Sequence, residues 1–236
     1  MSLRLQDLAA GVLARDAFTA TGAGVRVAVI DSGVDMTRVG ADGILDGVSF
    51  GSAGTESPGA IDRHGHGTAV VTTIRAIAPG TTIMPVKVFD RELRATADGL
   101  VAAIDRAAQS GAHLINLSLG TTNLAHRLRL GEALVRAARA GVAVIAADVD
   151  EAGTAWLPGS LPLAIGVSMD RGVARDTAVI AVTREGAVRR VRARANGMAA
   201  ADDPDSPTGA AVSGVSFAVA TVTGLVALHL STRTPG

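Results

Sequence analysis

The apolar positions of this chain fall into two alternating patterns. Residues 25–30, 83–88, 113–117, 142–146 and 163–167 are short, nearly continuous runs of Val, Ile, Leu and Ala. Such runs predict strands buried on both faces. Between them, residues 97–109 and 124–140 place apolar side chains at helical spacing, with Gly111 and Gly141 placed for C-terminal caps. Residues 68–77 and 217–230 share that spacing, and residues 5–18 read as an N-terminal amphipathic helix. Residues 177–183 and 187–192, separated by Arg184-Glu185-Gly186, predict a β-hairpin. The alternation as a whole predicts an α/β fold, a mostly parallel sheet with helices on both faces. Residues 51–62 and 199–214 are rich in Gly, Ser, Pro and Asp and read as loops. No repeat or linker divides the chain, so one domain over residues 1–236 is expected.

Composition narrows the classes of function. The 22 basic and 22 acidic residues leave no net charge to recruit nucleic acid or an anionic membrane, and neither partner is expected. Arg184, Arg189, Arg190, Arg192 and Arg194 cluster late, but they alternate with Val and Ala as on a solvated strand face. The absence of cysteine excludes disulfides, a thiolate nucleophile and Cys-based metal sites. Four Phe, one Trp and no Tyr argue against a stacking platform for bases or sugars. No stretch is apolar for long enough to span a bilayer, and Gln6 and Asp7 interrupt any secretory signal. A cytoplasmic setting follows if Met1 is the true start, and a secreted one if the chain is a trimmed mature form.

Three polar residues stand at element boundaries. Asp31 ends the first strand run, His66 opens His66-Gly67-Thr68, and Ser216 lies in Gly214-Val215-Ser216-Phe217-Ala218. Taken singly, Asp31 could cap a turn and Ser216 could cap a helix. Together they supply a nucleophile, a base to take its proton and a carboxylate to orient that base. A helix N-terminus at Ser216 favours a developing oxyanion, and one at His66 would help keep the imidazole neutral. Gly67 and Gly214 leave room for a close backbone approach. His64 and His66 could form a metal pair, but their surroundings supply no obvious further ligands, and His64 reads as a partly exposed neighbour. Gly22-Ala23-Gly24 precedes the first strand, so a dinucleotide phosphate cradle would be misplaced.

The segment Val27-Ala28-Val29-Ile30-Asp31-Ser32-Gly33-Val34-Asp35 closely resembles the aspartate segment of the subtilisin-like serine proteases, the subtilase family. Gly65-His66-Gly67-Thr68 resembles the core of the family's histidine segment. Gly214, Ser216, Ala218 and Gly224 match its serine segment, with Val215 and Ala220 replacing the usual Thr and Pro. Similarity runs from about residue 5 to the end and is poorest over residues 170–213. The resemblance implies a three-layer subtilisin-like fold and a serine endopeptidase acting through an acyl-enzyme. Ser216 would be its nucleophile, His66 its base and then acid, and Asp31 the orienting carboxylate. Ile115-Asn116-Leu117-Ser118-Leu119-Gly120 resembles the family's substrate-binding strand. Ser118, Leu119 and Gly120 would pair there with an extended peptide or protein substrate. Maturation of one specific precursor peptide is the narrower activity that the compact, apparently leaderless chain suggests. No cofactor is implied and no chaperone prodomain is recognisable. The acidic residues are too scattered to nominate a calcium site, although structural calcium stays open.

One departure bears on catalysis. Subtilases usually place an oxyanion-stabilising Asn where this chain reads Ile145-Ala146-Ala147-Asp148-Val149-Asp150-Glu151. Direct alignment puts Val149 at that position, and a slip of one residue puts Asp150 there. Valine cannot donate a hydrogen bond, and an ionised aspartate only accepts. Either Asp150 is protonated and donates, or Asn116, Asn123 or Thr154 substitutes, or the enzyme is slow or inactive. An inactive subtilase fold kept to bind a peptide or protein partner is therefore the rival expectation. Should Asp148 and Asp150 border the pocket for the residue preceding the cleaved bond, they would favour Arg or Lys there. Ordinary solvated turn carboxylates are the plainer reading.

Overall fold

Side-chain alternation along the strands sets the layering. In β2 (Arg26–Asp31), Val27 and Val29 face one apolar cluster while Ala28 and Ile30 face a second. In β7 (Ala143–Ala147), Ala143, Ile145 and Ala147 join the first cluster, and Val144 and Ala146 the second. A strand apolar on both faces can only be buried between two layers. The computed structural model describes residues 8–89, 94–149, 152–199 and 213–232. The other strands are β1 (Gly11–Ala14), β3 (Val48–Phe50), β4 (Glu56–Pro58), β5 (Thr82–Lys87), β6 (Leu114–Leu117), β8 (Ala164–Met169), β9 (Thr177–Glu185) and β10 (Val188–Ala195). They form one sheet in the order β1-β9-β10-β8-β7-β6-β2-β5-β3-β4. From β10 through β8, β7, β6, β2 and β5 to β3 the pairings are parallel. Antiparallel pairs close both ends.

Helices α2 (His66–Ile77) and α5 (Val215–Ser231) cover the first face through Val70, Ile74, Val222 and Leu225. Helices α3 (Ala97–Gln109) and α4 (Arg127–Arg139) cover the second through Leu100, Ile104, Leu130 and Leu134. Together they make three layers. A short helix, α1 (Met36–Val39), follows β2. α5 is apolar on nearly every side and is buried along most of its length, as suits a helix inside the core. It crosses α2 at Gly224, where an added Cβ would lie 2.8 Å from Ile77 Cβ. α3 begins at Thr96, whose hydroxyl accepts the Gly99 N–H at 3.1 Å.

Several boundaries differ from expectation. Residues 8–18 do not form the expected helix; residues 5–7 of that segment lie outside the described residues. Gly11–Ala14 is a strand on the edge of β9, followed by a 3-10 turn at Arg15–Ala17. Pairing with β9 satisfies backbone groups that a helix would satisfy locally, and Gly11 at φ 156° suits extended chain. The segment at 124–140 divides into a 3-10 turn at Leu124–His126 and then α4, because Asn123 Oδ1 caps the turn by accepting the Ala125 N–H. β4 falls within the stretch read as loop, since an exposed three-residue edge strand leaves no periodic signal. Nor is the arginine face simply solvated. Val191, Ala193 and Ala195 point into the core, while half-buried Arg189, Arg190 and Arg192 donate to backbone carbonyls. Most of the second expected loop lies outside the described residues.

Candidate active site

The carboxyl ends of parallel strands form a natural rim for chemistry, because the helices that follow open with unpaired N–H groups. Asp31 is the last residue of β2 and is fully buried. Its Oδ1 accepts the Ser32 N–H at 2.7 Å and lies 2.7 Å from His66 Nδ1. Its Oδ2 is buried with no hydrogen-bond partner, so the imidazole is the main group available to neutralise the carboxylate. His66 is the first residue of α2, and about a third of its side chain remains exposed. Burial by itself pushes the imidazole pKa down. The hydrogen bond and charge of Asp31, with the charge of Asp62, outweigh that and hold it above the ordinary 6.5. The expected neutralising influence of the helix terminus is therefore not what prevails.

The fit between β2 and α2 depends on two further features. At Gly67, an added Cβ would lie 2.2 Å from the Gly33 carbonyl oxygen, so only glycine lets α2 come this close. Asp62 then stitches the two loops. Its Oδ1 accepts from Ser32 Oγ and from the N–H groups of His64 and Gly65, each at 2.9 Å. Its Oδ2 accepts from Thr68 N–H at 2.9 Å and Thr68 Oγ1 at 2.6 Å. Burial raises the Asp62 pKa, but these donors outweigh it and hold the carboxyl below its ordinary value. Ser32 Oγ in turn accepts the Gly67 N–H at 2.9 Å. Sequence reading missed Asp62, although an acid just before a helix is a recognisable capping signal. His64 is exposed beside this cluster. Among the described residues, no group of three metal-ligating side chains forms.

Ser216 lies in the first turn of α5, where its N–H has no intrahelical partner. The next residue, Phe217, brings its ring to 6.2 Å from that of His66, centroid to centroid. The Ser216 hydroxyl donates to the Ser118 carbonyl at 3.3 Å. That bond is long and weak, and rotation about a single side-chain torsion redirects the hydroxyl. Beneath it runs a buried polar chain. Thr223 Oγ1 lies 2.9 Å from Asn116 Oδ1, Asn116 Nδ2 donates to Ser118 Oγ at 3.0 Å, and Ser118 Oγ reaches the Ser216 carbonyl at 3.4 Å. This chain ties the start of α5 to the end of β6.

Ser118, Leu119 and Gly120 continue β6 along the wall of a cavity of about 530 Å³, which His66, Phe89, Leu100 and Trp156 also line. Among the described residues, the peptide groups of Leu119 and Gly120 make no backbone hydrogen bond and remain open to an extended chain. Trp156 bounds the cavity closely: an added Cβ on Gly120 would lie 3.2 Å from its Cε3.

The expected oxyanion donors fare differently. Asp150 lies outside the described residues. Asn116 is fully buried in the polar chain, and Asn123 is occupied capping its turn. Thr154 is exposed, and Val149 forms a backbone bridge with Ala155. Asp148 is no solvated turn carboxylate, and it is not free to receive a basic substrate residue. It is 9% exposed, and its Oδ2 lies 2.7 Å from Arg192 Nε. Burial raises its pKa above the ordinary 3.8 against the opposing pull of Arg192 and Arg190.

The family model described as "Subtilase family" matches residues 22–236, most of the chain. The chain belongs to the subtilase family. Its relatives include the thermophilic serine proteinase of Bacillus sp. strain AK1, 36% identical over 52% of this chain and 32% of that protein. Subtilisin DY of Bacillus licheniformis is 30% identical over 53% of this chain and 47% of that one. The chain thus matches less than half the length of these relatives. Among solved structures, the S41 psychrophilic protease superposes with a TM-score of 0.70 at 22% identity, covering 90% of this chain and 79% of that chain. Sphericase superposes at 0.69 and 23% identity, covering 92% and 80%. At this identity the superpositions establish the three-layer subtilase fold. The subtilase assignment also accounts for the aspartate, histidine and serine segments meeting at one rim.

Proposed function

We propose that this subtilase is a serine endopeptidase that cleaves peptides or proteins through an acyl-enzyme. The reading is carried by the 2.7 Å contact between buried Asp31 and His66 at the rim where α5 presents Ser216. In the proposed cycle, Ser216 Oγ attacks the scissile carbonyl carbon as His66 Nε2 takes its proton. Asp31 holds Nδ1–H and stabilises the imidazolium. The C–N bond then breaks as His66 returns the proton to the leaving amine. Water repeats the sequence to release the acid and restore Ser216. The free Ser216 N–H supplies one donor to the developing oxyanion. Removing one such donor elsewhere costs roughly 10²–10³ in rate, so without the usual Asn the enzyme is slow. The open peptide groups of Leu119 and Gly120 would pair with the substrate main chain. The narrower substrate class is a single precursor peptide, selected by the pockets along that strand.

A second reading, a peptide-binding subtilase fold without turnover, draws on the Ser216 hydroxyl facing Ser118 and on Val149 at the donor position. Labelling with a fluorophosphonate probe separates the two. Covalent modification of the wild type that is abolished in Ser216→Ala is the expected result. A folded wild type that takes no label over long incubation would leave the binding reading in its place.

A further inference from the structure

A second cavity, about 660 Å³, shares Phe89 as a wall with the one beside His66. Ile61, Arg63 and His64, on the approach to α2, line it together with Lys87. Lys87 ends β5 in direct register with Asp31, so this cavity opens one strand away from the candidate catalytic carboxylate. Its charge is of a single sign, because no Asp or Glu lines it among the described residues. Asp62, the acid closest in sequence, is buried and already receives its five donors. Lys87 Nζ donates to the Ile61 carbonyl at 2.8 Å, which fixes the ammonium at the cavity without neutralising it. Neither Arg63 nor Lys87 has an ion-pair partner among the described residues. Two uncompensated cations on a concave surface create a local positive potential that attracts an anion.

We propose that this cavity is a subsite for an acidic side chain, Asp or Glu, of the peptide substrate, with Arg63 and Lys87 as its specificity-determining cations. The inference rests on the peptidase reading for its ligand class, an extended peptide, and adds the chemistry selected. Phe89 joins the two cavities, so one peptide seated along Ser118–Gly120 can place a side chain between the cations. Arg63 offers a two-pronged donor matched to a carboxylate, and Lys87 a point charge beside it. The site is open to water, so the two cations together contribute about fivefold in affinity rather than orders of magnitude.

The test uses Ser216→Ala protein, which binds without consuming its ligand, and fluorescent extended peptides carrying Glu, Gln or Lys at each position in turn. Anisotropy titrations should find one position where Glu binds about fivefold tighter than Gln, with Lys weakest. That advantage should shrink as salt is raised. Arg63→Gln should lower that advantage to about twofold, and Arg63→Glu, which sets an anion beside Lys87, should abolish it. Arg63 is exposed, and circular dichroism verifies the fold of each variant. The inference is overturned if no position favours Glu, if no peptide binds, or if Arg63→Glu leaves the advantage unchanged. Those outcomes are independent of fluorophosphonate labelling of the wild type, on which the peptidase reading itself stands.

Discussion

The charge of Asp31 controls His66 because so little else satisfies it. One carboxylate oxygen is shared between the imidazole and a single N–H, and the other is buried without a partner. The His66 pKa consequently lies above 6.5 even though burial alone would lower it. A base must be neutral to accept a proton, so the labelling rate of Ser216 should rise with pH through a midpoint above that value. Asp31→Asn leaves the burial and removes the charge, which should drop the midpoint below 6.5 and the rate by about 10⁴. NMR titration of the His66 ring measures the first, and probe kinetics the second. An imidazole that titrates identically in the Asn variant would refute the account. The stability consequence has the opposite sense of pH. A raised folded-state pKa adds stability below the unfolded value, and that stability is lost as pH climbs through the folded midpoint. Asp31, His66 and Ser216 were legible as residues because each sits where an apolar pattern stops. The orientation of the Ser216 hydroxyl and the orphaned Asp31 oxygen were not, since both depend on neighbours far away in sequence.

Elements repeat this contrast between local and distant causes. α3 appears over the residues its spacing predicts because Thr96 caps it and its apolar stripe faces β2 and β6. The expected N-terminal helix failed because its competitor, the edge of β9, is far away in sequence (Gly11 pairs with Ile180). Asp148 was misread for the same kind of reason, its partner Arg192 standing on another strand. That pair links the end of β7 to β10, while Arg190 and Arg192 also donate to the Ser160 carbonyl at 3.1 Å, fixing the loop behind Trp156. Arg192→Met should therefore cost about 2 kcal/mol at neutral pH by leaving a buried carboxylate unpaired. The Asp148 pKa, already raised, would rise further. Ionisation above that pKa is then what destabilises the fold, and protonation below it relieves the strain. Urea unfolding should accordingly show a deficit at neutral pH that narrows as the pH falls through the raised Asp148 pKa. A deficit constant across that range would mean the arginine acts through packing alone.

Across the whole molecule, stability and chemistry occupy different parts of the sheet. β1 and β2 are six strand positions apart in the order, roughly 30 Å at ordinary strand spacing. Leu8, just before β1, is 2% exposed and belongs to the same apolar cluster as Ile180, Val191 and the core residues of α5. Its carbonyl accepts from Arg189 on β10, so one leucine anchors the edge strand by both side chain and backbone. Leu8→Ala removes three buried carbons from that cluster and should cost about 3 kcal/mol. For a chain of this size, that corresponds to a Tm lower by about 9 °C. The intervening strands are close-packed, and no polar network described here joins Leu8 to Asp31. The labelling rate of Ser216 and the midpoint of its pH profile should therefore match the wild type well below the lowered Tm. Calorimetry reads the first effect and probe kinetics at low temperature the second. A folded Leu8→Ala protein with a shifted pH profile would show that the edge strand reaches the rim after all.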